Sequence, residues 1–100
     1  MMTVRETDFF KTWMHNLKDR IARSIINARI RRLSIGNIGD SKHIANGISE
    51  LRIDYGPGYR VYYLQAKQEI IILLCGGDKS SQNNDINRAK QIALNVEVAE

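Results

Sequence analysis

"GISELRIDYGPGYRVYY", residues 47–63, changes the period of the chain from helical to two. From Gly47 onward, Ser49, Leu51 and Ile53 alternate with Ile48, Glu50, Arg52 and Asp54, the pattern of a half-buried strand. "YGPGYR" supplies a turn, after which Arg60, Tyr62 and Leu64 alternate with Tyr59, Val61 and Tyr63, so the two runs form a hairpin. A connecting loop of odd length sets Leu51 and Ile53 on the face of Tyr59, Val61 and Tyr63, whereas an even one sets Arg52 beside Val61. The hydrophobic pattern therefore favours the odd register. In that register Arg52 and Arg60 emerge on one face, directly or diagonally across from each other, where like charges oppose pairing. Stability alone does not place them there, and the pair reads as a holder of something negative.

Working outward, a second turn falls at Lys67 and Gln68, and "IIILLC", residues 70–75, shows no alternation, as expected of a central strand covered on both faces. "GGDKSSQNNDINRAKQIALNV", residues 76–96, reads as a loop entering a helix. Ser80 or Ser81 is its N-cap, and Ile86, Ala89, Ile92, Ala93 and Val96 form its buried stripe. Upstream, residues 2–5 form a short strand, and Thr7 and Asp8 supply helix-capping side chains. Phe9, Trp13 and Leu17, with Phe10 and Met14 beside them, make one apolar core stripe. Asp19 caps a second helix with Ile21, Ile25, Ala28 and Arg32 along one line and Ala22, Ile26, Arg29 and Leu33 along the next, which turns Arg20, Arg23, Arg31 and Arg32 mostly outward. "GNIGD", residues 36–40, ends that helix, and His43 lies in the loop that follows. The expected order is β-α-α-β-β-β-α: an α+β fold whose small, mainly antiparallel four-stranded sheet carries an N-terminal helical pair and a C-terminal helix.

One hundred residues suit a single domain over positions 1–100, with enough buried surface to fold without staples. The single cysteine, Cys75, excludes a disulfide framework and suits a reducing compartment, and His15, His43 and Cys75 lack metal-site spacing. The longest apolar run, six residues, is far short of a membrane span, and "MMTVRETDFF" lacks the basic-then-apolar order of a signal peptide. A cytoplasmic protein without cofactor or metal is expected. The net charge of +4 is unevenly placed: residues 1–50 hold nine Lys or Arg against five Asp or Glu, while residues 51–100 hold six of each. A clustered positive field favours encounter with a polyanion or an acidic protein.

"GGDKSS", residues 76–81, is not a nucleotide phosphate loop, because that motif needs a glycine directly before its lysine and Asp78 precedes Lys79. What it offers is bare backbone amides, a helix start and Lys79 over that start. If the central strand pairs with the hairpin, Arg52, Arg60 and Lys79 converge. Such a trio suits transfer at a phosphodiester, where fixed cations stabilise charge on the phosphate oxygens and aromatics such as Tyr62 stack bases. RNA brings its own nucleophile, the 2′-hydroxyl. Only Tyr62, Asp78 and Asp85 offer titratable groups nearby, and none identifies itself as the general base.

The element order, with "FKTW" (residues 10–13), "RIRRLSIGNIGD" (29–40), "GISELRIDYGPGYRVYY" and "LLCGGDKSSQNNDINRAKQIA" (73–93), resembles the RelE/ParE superfamily of bacterial toxins, in its HigB-like, phage-associated addiction module killer protein branch. The resemblance runs from about Thr7 to Ala93. It implies a RelE-like fold and a toxin silenced by an antitoxin that carries a helix-turn-helix DNA-binding domain, the toxin standing alone or in a hetero-oligomer with it. It implies a ribosome-dependent mRNA endonuclease that inhibits translation through the RNA 2′-hydroxyl. By position, Arg60 matches the arginine on the scissile phosphate, Arg52 a basic residue of the preceding strand and Lys79 a basic residue after the last strand. Tyr62, Ser80 and Ser81 would then touch RNA at the site, and Arg20, Arg23 and Arg31 ribosomal RNA. A tyrosine or histidine that known members place near the C-terminal helix has no counterpart in "QNNDINRAKQ", where Asn84 or Asp85 stands instead; Glu50 occupies a position that is basic in some relatives. Two other readings stay open: a ParE-like inhibitor of DNA gyrase that cleaves no RNA, and a non-toxic homologue that only binds its antitoxin.

Overall fold

The computed structural model describes residues 1–67 and 69–96, so Gln68 of the expected second turn lies outside the described residues. The chain runs β1 (Thr3–Glu6), α1 (Asp8–Asn16), α2 (Arg20–Ser34), β2 (Ser41–Ala45), β3 (Ile48–Arg52), β4 (Arg60–Ala66), β5 (Ile70–Gly77), a 3₁₀ turn (Lys79–Ser81) and α3 (Gln82–Leu94). The strands form one mixed sheet in the order β1-β5-β4-β3-β2, with β1 parallel to β5 and the other pairs antiparallel. The expected α+β class holds, with five strands rather than four. The added strand, β2, is built from the stretch read as a loop around His43. Asn46 and Gly47 close it onto β3 through left-handed backbone, φ 51° and 82°, whose twist suits a two-residue hairpin turn. "SKHIA" carries too little apolar alternation to announce itself.

Capping side chains start the helices. Thr7 Oγ1 accepts from Phe10 N at 3.1 Å and itself donates to the Leu74 carbonyl at 2.6 Å, which ties the start of α1 to β5. Asp19 accepts from Ile21 N and Ala22 N. The stripe of α1 differs from the expected one: Phe10, Trp13, Met14 and Leu17 pack inward at helical spacing, while Phe9, a hundred degrees away, is 56% exposed. On α2 the line of Ala22, Ile26 and Leu33 is the buried one.

The hairpin adopts the odd register, with Leu51 opposite Val61 and Arg52 opposite Arg60. Leu51, Ile53, Val61, Tyr63, Ile71 and Leu73 face α1 and α2. On the other face Ile48, Tyr62, Ile72, Leu74 and Cys75 meet Ala89 and Ile92 of α3. The extra residue in β5 at Leu74, between the pairs Tyr63↔Leu73 and Tyr62↔Cys75, lets consecutive Leu74 and Cys75 both reach the α3 side. Among the described residues no helix is long and apolar enough to cross a membrane.

Candidate functional site

Arg60, the first residue of β4, lies opposite Arg52 of β3 on one side and Gly77 of β5 on the other. Two residues past Gly77, exposed Lys79 donates its backbone N–H to the Pro57 carbonyl at the hairpin tip, 3.4 Å away. The three cations predicted to converge thus sit at one end of three adjacent strands. Their environments differ. Arg52 is 39% exposed and forks both Nε (3.1 Å) and Nη2 (3.0 Å) onto Asp40 Oδ1, while its carbonyl accepts from Arg29 Nη1 at 2.8 Å. The Arg60 side chain is only 13% exposed and leans inward along the sheet, its Nε 4.0 Å from Glu50 Oε2.

Glu50, not singled out as a site residue from the sequence, is the centre of this face. It is fully buried under the start of α3, with Oε2 accepting from the Tyr62 hydroxyl at 3.0 Å and from Gln82 Nε2 at 2.9 Å. Strand alternation puts Glu50 on the face of Arg52 and Tyr62, but only the helix that covers it makes it a buried charge. Tyr62 accordingly serves a role other than the expected base stacking. Its ring is completely buried, and burial first, then the hydrogen bond to Glu50 and the nearby charges of Glu50 and Asp85, push its phenol well above the ordinary value of 10.0 against a smaller opposing pull from Arg60. A stacking platform needs an open ring face, which this residue lacks.

The glycines of "GGDKSS" also do something different from baring amides for an anion. A Cβ on Gly76 would overlap the Trp13 ring on one face of β5, and a Cβ on Gly77 would overlap the Asp85 carboxylate on the other. The 3₁₀ turn that leads into α3 is already capped by a carboxylate of the chain itself. Asp78 Oδ1 accepts from Ser80 N at 2.8 Å and Ser80 Oγ at 2.5 Å, and these bonds hold its acid below the usual carboxylate value. Ser81 Oγ donates to Asp85 Oδ2 at 2.5 Å. Both hydroxyls expected to face RNA therefore donate to carboxylates of the chain, Ser80 to Asp78 and Ser81 to Asp85 of α3. Lys79, Ser80, Ser81, Gln82, Asn83 and Asn84 line an open polar depression of about 330 Å³ there.

Arg20 and Arg31 are exposed and Arg23 half-buried on α2, the helix that covers the face opposite Arg60, so they form a separate basic surface. His43 pairs with Ser49 on that opposite face as well, and His15 sits on α1. No group of three or more His, Cys, Asp or Glu among the described residues is arranged to hold a metal ion. Cys75 is buried beside the Asp85 carbonyl; burial, reinforced by the Asp85 charge, raises its thiol to about 12.

Residues 8–95 match the family described as phage-derived protein Gp49-like (DUF891). A Haemophilus influenzae protein described as "Uncharacterized protein" is 51% identical over 90 residues, spanning 90% of this chain and 91% of its own length. In a solved structure of the toxin–antitoxin complex RelBE2 from Mycobacterium tuberculosis, one chain is 22% identical and superposes with a TM-score of 0.60 over 78% of this chain and 98% of that one. The sheet order, the helical pair on one face and α3 on the other agree with that likeness in fold, and the chain belongs to the family of phage-derived Gp49-like proteins (DUF891).

Proposed function

We propose that this protein is the toxin of a toxin–antitoxin pair, of the HigB-like branch, and that it cuts messenger RNA on the ribosome in the cytoplasm. The observation that carries the reading is the half-buried Arg60, flanked across adjacent strands by Arg52 and, beyond Gly77, by Lys79. In the reaction the RNA 2′-oxygen attacks the adjacent phosphorus and the 5′-oxygen leaves, producing a cyclic phosphate. Arg60 would stabilise the charge that builds on the phosphate oxygens, with Lys79 and Arg52 holding the flanking backbone. A guanidinium in a partly water-excluded place is worth more there than one in bulk solvent, because the local dielectric is lower. The exposed arginines of α2 would meet ribosomal RNA, and an antitoxin with a helix-turn-helix domain would silence the toxin. A translation extract programmed with one defined message tests this reading. New RNA 5′ ends at ribosome-occupied codons, lost with Arg60→Ala or Lys79→Ala, support it; an intact message at a dose that still stops growth overturns it.

One observation favours a second reading. Among the described residues no histidine lies on the Arg60 face, and Tyr62 is buried with a raised phenol, so neither a histidine nor Tyr62 serves there as an accessible proton carrier. A gyrase inhibitor needs none. Loss of DNA supercoiling by purified gyrase in the presence of the protein, with RNA untouched, would establish that alternative.

A further inference from the structure

We infer that Glu50 is a positioning residue for Arg60, holding the guanidinium from its buried side so that it meets a phosphate in one orientation; this rests on the nuclease reading above. The Glu50 carboxylate is completely buried, a placement that ordinarily calls for full pairing, yet it is only partly paired. Tyr62 and Gln82 fix Oε2 from two sides, whereas Oε1 has no hydrogen-bond partner and neither does the buried Arg60 Nε, 4.0 Å from Oε2. An apolar residue at position 50 would serve this helix-covered face better if packing were all that mattered. The carboxylate instead supplies a fixed negative charge behind a mostly covered arginine. Full burial keeps Glu50 itself from any substrate, so its effect passes through Arg60. Gln82 is the first residue of α3, and its bond to the same oxygen joins the helix start to the position of Arg60. Bidentate contact with a phosphate depends on the angle of the guanidinium plane, and displacement of a reacting group by an ångström can cost about a hundredfold in rate.

The test is single-turnover cleavage of a ribosome-bound message across a range of protein concentrations, comparing wild type with Glu50→Gln, Gln82→Ala, Arg60→Lys and the combinations with Arg60→Lys. Glu50→Gln is expected to slow the cutting step by on the order of tenfold with the half-saturating concentration unchanged. Gln82→Ala should slow it in the same direction by less. In the Arg60→Lys background both substitutions should cost clearly less than in wild type, since the group they position is gone. Should Glu50→Gln fail to fold, Gln82→Ala carries the comparison. Cutting at the wild-type rate in these variants, or an equal loss in both backgrounds, overturns the inference and leaves the nuclease reading standing. A wild-type protein that leaves the message whole removes both.

Discussion

The Asp85 carboxylate occupies the space that a Cβ of Gly77 would fill, so any larger residue at position 77 displaces the Asp85 side chain between β5 and α3. One residue earlier, and on the opposite face of the strand, Gly76 leaves the same space to the Trp13 ring. The tandem glycines let two layers close on β5 at adjacent positions.

Gly76→Ala therefore sets a Cβ into a rigid, partly buried indole, and Gly77→Ala sets one into the end of a shorter, more adaptable side chain. The first is expected to cost about 1–3 kcal/mol and the second less. Each kcal/mol should lower the melting temperature of a domain this size by roughly 4–8 °C, read from circular dichroism. Equal tolerance of both alanines would contradict the packing argument.

On the proposed reaction, Arg60→Ala should reduce cleavage by about a hundredfold or more, the loss seen when one preorganised transition-state donor is removed. Arg52→Ala should cost less, because Arg52 is more exposed and already shared with Asp40. Asp40→Ala should leave stability within about 1 kcal/mol, as befits an exposed pair. An Arg52 effect larger than that of Arg60 would reverse the roles assigned to them.

If the α2 surface meets ribosomal RNA, replacing Arg20, Arg23 and Arg31 together with Gln should weaken ribosome binding and flatten its dependence on salt. Fewer counterions would be released on binding. Pelleting with ribosomes at a series of salt concentrations reads both, and an unchanged salt slope would exclude the surface.

Tyr62 gives a pH signature. Its phenol is raised in the folded protein above the ordinary 10.0, so the unfolded chain loses this proton first. The associated stability is complete below pH 10 and declines as the pH rises above it. Tyr62→Phe should remove that part of the alkaline decline while costing about 1 kcal/mol near neutrality through the lost bond to Glu50. Denaturant midpoints against pH for both proteins would show it.

Cys75 should resist thiol reagents in the native state. Burial and the Asp85 charge hold the thiol at about 12, which leaves almost no thiolate at neutral pH. Labelling with a chromogenic disulfide should follow unfolding, and rapid native labelling would show that α3 opens away from β5.

Much of this architecture is local, and local features are legible in sequence. Thr7 and Asp19 cap their helices as their side chains imply, since a cap needs only an amide two or three residues away. The hairpin register followed from a period of two, because a slip of one residue would turn Leu51 and Val61 to the wrong face. The uniform apolar run in β5 reads correctly as a strand covered on both sides. Even β2 had its signal: Asn46-Gly47 is a strong hairpin pair, hidden by the weak alternation of the strand it closes.

The sequence by itself therefore determined every element but β2, the hairpin register and the place of Arg60 on the face of Arg52. The tertiary structure decided how those residues are used. Glu50 becomes a buried charge only because Gln82, thirty-two positions later, starts a helix above it. Tyr62 loses its open face for the same reason, and the tandem glycines acquire their purpose from Trp13 and Asp85 rather than from a ligand. Periodicity and turn chemistry act over a few residues, whereas burial and the pairing of charges depend on which distant layer closes over a face.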